Sequence, residues 1–267
     1  MVQLLEGFRV SSAPKLSVGT GKIRGGEPIQ MKSEYANYQD AGIELNGMFA
    51  WDERNAARRP GILVVHAATG LDDHPKGRAR RFAELGYVAF ACDLFGPGMM
   101  GNRERSMAVI KGLRDAPSQL LSRVSTGLEV LRAHPLVDGR IAAIGYCFGG
   151  LTVLHLARSG ADLAGVVSVH GTLATSTPAE PGKLRAKILV CHGALDPHVP
   201  MTQVSAFVEE MNRAGGDWQL AMYGGAKHGF AHENGPGFPG VEYNALADFR
   251  SSALIRDFIS ELFGPAT

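Results

Sequence analysis

Cysteine is scarce in this 267-residue sequence: Cys92, Cys147 and Cys191 are all there is. An odd number, widely spaced, makes neither a disulfide framework nor a clustered metal motif, so a reducing compartment is expected. Charge of one sign is also missing. Lys+Arg 27 against Asp+Glu 26 leaves a net charge of +1, which offers no electrostatic footprint for nucleic acid or an anionic membrane. No apolar run reaches the roughly 18 residues of a membrane helix. The opening stretch "MVQLLEGFRVSS" lacks the basic start and apolar core of a secretory signal. A cytoplasmic protein is the expectation, and the absence of an internal repeat excludes a solenoid.

What remains is a chain of ordinary composition, 45% hydrophobic and 20% charged, long enough to bury one sizeable core. Glycine, serine and proline gather before residue 30, so residues 1–30 read as an arm and 31–267 as a single domain. "QMKSEYANYQD" and "IELNGMFAWDE", joined at Ala41-Gly42, read as an antiparallel strand pair. Beyond them the pattern alternates. "GILVVHA", "YVAFACDLFG", "GRIAAIG", "GVVSVHG", "KILVCHG" and "WQLAMYGG" are apolar runs suited to strands covered on both faces. Between or after them come helical stretches: "PKGRARRFAELG", Arg103 to His134, "GLTVLHLARSG", "MTQVSAFVEEMNRAGG" and residues 242–264. Such alternation predicts a mostly parallel sheet with helices on both faces, and ligands beyond the carboxyl ends of its strands.

At those ends stand His66, Asp93, Cys147, His170 and His192. Strand-end histidines and aspartates commonly just brace loops, so crowding alone carries little. Gly145-Tyr146-Cys147-Phe148-Gly149 carries more. It fits the nucleophile elbow, the sharp strand-to-helix turn whose flanking residues must be small, with cysteine in the nucleophile's place. A buried cysteine is also a common small hydrophobe, so its partners decide the matter. The elbow order is nucleophile, acid, histidine: Asp196 follows "KILVCHGAL" and His228 follows "WQLAMYGGAK", both after late strands. The expected chemistry has His228 taking the thiol proton and Asp196 orienting the imidazole. The backbone N–H groups of Phe148 and Ala68 would form the oxyanion hole. Ala67, Tyr146, Met99, Met100, Phe230 and His232 are candidates to line the substrate pocket, and "GPGMMGN" is the best lid candidate.

With these residues in view, "GLDDH", "RARRFAELGYVAFACDLFG", "GYCFGG", "HGALDPHVP" and "YGGAKHGF" resemble the dienelactone hydrolase family of the α/β-hydrolase fold, over about residues 34–264. The resemblance implies Cys147, Asp196 and His228 as a catalytic triad. It implies ester or lactone hydrolysis without a metal or organic cofactor, on a small-molecule substrate; a homodimer is compatible with it. Two departures stand out. Where the best-known members carry a glutamate that holds or activates the cysteine, this chain has Ala67. Where they carry a carboxylate-binding arginine shortly after the histidine, it has His232. An uncharged or different ester is therefore expected. The same triad would serve a thioesterase or acyltransferase, and Cys147 without turnover would serve a redox- or electrophile-sensing protein.

Overall fold

The structure, a computed structural model, describes residues 29–99 and 101–264. The expected arm falls almost wholly outside the described residues, as does the pocket candidate Met100. Among the described residues, eight strands form one sheet in the order β1-β2-β4-β3-β5-β6-β7-β8. The first two, β1 (Met31–Asp40) and β2 (Ile43–Asp52), are the expected antiparallel hairpin. Ala41 and Gly42 both take positive φ, 49° and 79°, which is what a two-residue turn matched to strand twist requires.

The hairpin joins the sheet antiparallel to β4 (Val88–Cys92), and from there every pairing is parallel, through β3 (Arg59–Val65), β5 (Val137–Tyr146), β6 (Gly165–Val169), β7 (Lys187–Gly193) and β8 (Trp218–Tyr223). Alternation along each strand divides the core in two. Leu63 and Val65 face the side covered by α2 (Arg103–Asp115), α3 (Pro117–Arg132), α4 (Phe148–Arg158) and α5 (Met201–Ala214). Ile62 and Val64 face α1 (Asp73–Glu84) and α6 (Ala245–Phe263). Every residue of β3 and β4 is buried because both faces are covered.

Two expectations change in detail. The helical stretch from Arg103 to His134 is two helices, because Pro117 pushes Ala116 out of the helical region (φ −124°, ψ 74°) and then starts α3 with no amide to leave unpaired. The last helix begins at Ala245, not Glu242. Asn244 caps it through Oδ1, which accepts from Ala247 N at 3.0 Å. The freed segment ahead of the cap pairs with the histidine loop, Glu242 N donating to His228 O at 2.9 Å.

A buried bidentate pair fastens the helices beneath the site. Arg158 of α4 donates from Nε and Nη2 to Glu210 of α5, both at 2.8 Å, and Glu210 also accepts from Ala179 N at 2.7 Å. Helix α4, α5 and the loop after β6 are thereby held as one body.

Candidate active site

The junction of β5 and α4 has the geometry of a nucleophile elbow. Cys147 stands between them at φ 54° and ψ −111°, a conformation that L-residues rarely adopt and that needs support from its surroundings. Its amide donates to Val169 O on β6 at 3.0 Å, and its carbonyl accepts from Gly150 N at 3.0 Å. The glycines answer to clearance. A methyl group at Gly145 would run into the Gly149 carbonyl, and one at Gly149 into the carbonyl of Val65 on β3. The turn brings the first amide of α4, that of Phe148, toward the sulfur.

The three residues expected to act together do meet. His228 Nε2 lies 3.1 Å from Cys147 Sγ, and His228 Nδ1 donates to Asp196 Oδ2 at 2.8 Å. The other carboxylate oxygen of Asp196 accepts from His198 N at 2.8 Å and Val199 N at 3.1 Å, so it cannot swing away. The backbone N–H groups of Phe148 and Ala68 are close enough to the sulfur to lower its pKa.

This arrangement separates charge. Burial alone would raise the Cys147 thiol, but the His228 charge and hydrogen bond, with the Phe148 and Ala68 amides, bring it below its ordinary value. Burial would lower His228, but Cys147 and Asp196 raise it to about 10. Asp196, which burial would raise, is held below the usual carboxylate range by His228 and the two amides. Both directions favour a thiolate beside an imidazolium. Cys191, by contrast, is pushed up to about 12 by burial, and burial raises Cys92 as well. Alkylation by iodoacetamide should therefore select Cys147. An ordinary thiol loses more than about a hundredfold of its thiolate between pH 8.5 and 6. Cys147 should lose far less, its rate falling only where pH drops through its depressed pKa. A profile like that of free cysteine would refute the ion pair.

The other expected residues take different places. Ala67 is buried, and its carbonyl accepts from His66 Nδ1 at 2.7 Å; no carboxylate is among the groups acting most strongly on Cys147. His66 Nε2 in turn accepts from Leu94 N at 3.0 Å, and Asp93 accepts from Phe95 N at 2.9 Å and Asn46 N at 3.3 Å. Both brace the loops after β3 and β4. Tyr146 and Phe230 lie in the core below the histidine, 2% and 0% exposed, and Met99 is partly buried against the core. His232 is buried, stacked on His74 with ring centroids 4.3 Å apart, and its Nε2 is 3.8 Å from Asp72. His170 lies under the site with positive φ (41°), its ring 5.4 Å from that of His228 and 5.1 Å from that of Phe230. Burial, then the nearby His228, push it well below the ordinary histidine value, so it stays neutral.

Two histidines at the site are not among the expected residues. His198, two positions beyond Asp196, has its ring 5.2 Å from His228, and its Nε2 is 3.2 Å from Pro239 O. The spacing in "DPHVP" could have marked it. His74 packs edge-on against Tyr146, 4.7 Å away, and burial followed by Arg78 lowers it to about 3. Nothing local distinguishes it from any histidine in a first helical turn.

An eight-stranded, mostly parallel sheet with a cysteine elbow and an acid and histidine after its last strands defines an α/β hydrolase. Residues 46–263 match the dienelactone hydrolase family, and the chain belongs to it, a dienelactone hydrolase-like hydrolase of esters or lactones. A dienelactone hydrolase-like promiscuous phosphotriesterase from metagenomic libraries is similar in structure. Its TM-score is 0.83 at 38% identity, over 88% of this chain and 99% of that one. An uncharacterized protein of Caenorhabditis elegans is 36% identical over 157 residues, 56% of this chain and 98% of its own. A probable 2-oxo-3-(5-oxofuran-2-ylidene)propanoate lactonase of Bradyrhizobium sp is 27% identical over 190 residues, 66% of this chain and 75% of its own. Among the described residues no helix is long and apolar enough to cross a membrane, and no three His, Cys, Asp or Glu side chains are grouped to hold a metal ion.

Proposed function

We propose that this chain hydrolyses an uncharged carboxylic ester or lactone through a thioester on Cys147. The observation that carries the proposal is the continuous hydrogen-bonded chain from Asp196 through His228 to Cys147 at 2.8 and 3.1 Å. The Cys147 thiolate attacks the carbonyl carbon, and the carbonyl oxygen takes the negative charge between the N–H groups of Phe148 and Ala68. When the tetrahedral species collapses, the carbon–oxygen bond to the alcohol breaks and His228 Nε2–H supplies its proton. In a lactone that alcohol stays attached to the acyl group. Water then gives a proton to His228 and its oxygen to the thioester carbon, the carbon–sulfur bond breaks, and the thiolate and imidazolium are restored.

His232 bears on the charge of the substrate. At the position where the family's arginine would hold a carboxylate, this imidazole is buried against His74 and faces the Asp72 carboxylate. Burial lowers its pKa, so at neutral pH it brings no positive charge to a substrate anion. Neutral substrates meet no such deficit.

Intact-mass measurement after brief mixing with p-nitrophenyl butyrate tests the chemistry. One butyryl group should appear on Cys147 and disappear as product forms. Turnover with no acyl group on Cys147 at any time would overturn the mechanism. A stable adduct with no turnover across esters, lactones and thioesters would favour an electrophile sensor.

A further inference from the structure

Arg103 opens α2 and is exposed; its Cζ lies 3.9 Å from the ring centroid of the half-buried Phe238. The two come from opposite halves of the molecule. Arg103 follows the loop after β4, which is two places from β5 on one side of the sheet; Phe238 lies in the loop after β8, three places away on the other. Both loops leave the carboxyl ends of their strands, on either side of β5, at whose carboxyl end Cys147 stands.

Each loop is also tied to a different part of the site. On the β4 side, Phe95 packs edge-on against His66, 4.4 Å away, and lies 5.8 Å from Phe148, whose amide faces the sulfur. On the β8 side, Phe238 O accepts from Val241 N at 2.9 Å, and the next residue, Glu242, donates to His228 O. His198, beside Asp196, reaches the same loop at Pro239 O. One arm thus springs from the oxyanion amides and the other from the histidine and its acid. Among the described residues Arg103 makes no ion pair, and its guanidinium lies on the aromatic face, a contact between the two arms.

We propose that the stacked Arg103–Phe238 pair roofs the nucleophile and limits the size of the ester the site accepts, which makes both residues specificity determinants of the hydrolysis. The proposal rests on Cys147 being the nucleophile. A short acyl group fits beneath the pair. A long one must displace it, losing the stack in both ground and transition states.

The test is the ratio of kcat/KM for p-nitrophenyl octanoate to that for p-nitrophenyl acetate, measured on the full chain. Phe238→Ala should raise it by about tenfold or more, the range expected when a pocket wall is removed. Arg103→Ala should raise it in the same direction. The double variant should exceed the larger single variant little, since the two act as one unit. Phe238→Trp, which keeps an aromatic face for the guanidinium, should stay near the wild-type ratio. A ratio that is unchanged or falls in the alanine variants overturns the roof. Cys147→Ala, assayed alongside, separates the two failures: if it retains turnover, the assignment of the nucleophile fails instead.

Discussion

Cys147→Ala should lower kcat/KM for p-nitrophenyl acetate by roughly 10⁴-fold or more while leaving the circular dichroism spectrum and melting temperature close to wild type. The size of the loss follows from what is removed. In the proposed mechanism the sulfur is the atom that attacks, and Cys92 and Cys191, both buried, offer no replacement. The small effect on the fold follows from the elbow, whose conformation is set by backbone contacts that alanine retains. Asp196→Asn should act almost as strongly, by about 10⁴-fold, though it removes no reacting atom. An amide at 2.8 Å from His228 Nδ1 can present N–H where the carboxylate accepts, and that turns the imidazole to the wrong tautomer. Wild-type-like turnover in either variant would contradict the assigned roles.

The second large effect is on folding. Gly145→Ala should cost at least about 4 kcal/mol, or roughly 10 °C in melting temperature for a chain of this size, and many preparations should yield no folded protein. The added methyl meets the Gly149 carbonyl, which is backbone and part of the first turn of α4. Relief would require moving the nucleophile helix, which is fastened through Arg158 to Glu210 and Leu173. Gly77→Ala is the matched contrast. Gly77 lies inside α1 with nothing within 4 Å of its would-be Cβ, so alanine there should stabilise by about 0.5–1 kcal/mol. Equal melting temperatures for the Gly145 variant and wild type would show that the elbow has slack the structure does not contain.

Much of this was legible in the chain before any coordinates. Strands buried on both faces announce themselves as unbroken apolar runs, and the glycine at Gly145 marks where one of them turns. Cys147, Asp196 and His228 could be ordered because each follows such a run, and the fold then has little choice but to gather strand ends on one rim. Helix boundaries were less legible where a proline divided one periodic stretch, as at Pro117, or where residues of helical composition paired elsewhere, as Glu242 does with His228. What stayed hidden is what depends on meeting across the sheet. Arg103 and Phe238 each sit in ordinary sequence, and only the crossing of two loops makes them neighbours. His74 against His232 is hidden for the same reason. Ala67 was visible as a missing glutamate, but the sequence could not say that His228 and two amides would lower the thiol pKa without it.

The elbow has one further consequence. Its glycines and its borrowed carbonyls behave as a jig: they fix a point in space, and clearance alone dictates which residues may surround that point. The occupant of the point is under no such constraint, since its own side chain projects outward from the turn. Location is thus written in the backbone, and the proposed reacting atom only occupies it. A chain built this way can exchange the reacting element, sulfur for oxygen, without redrafting the frame that aims it.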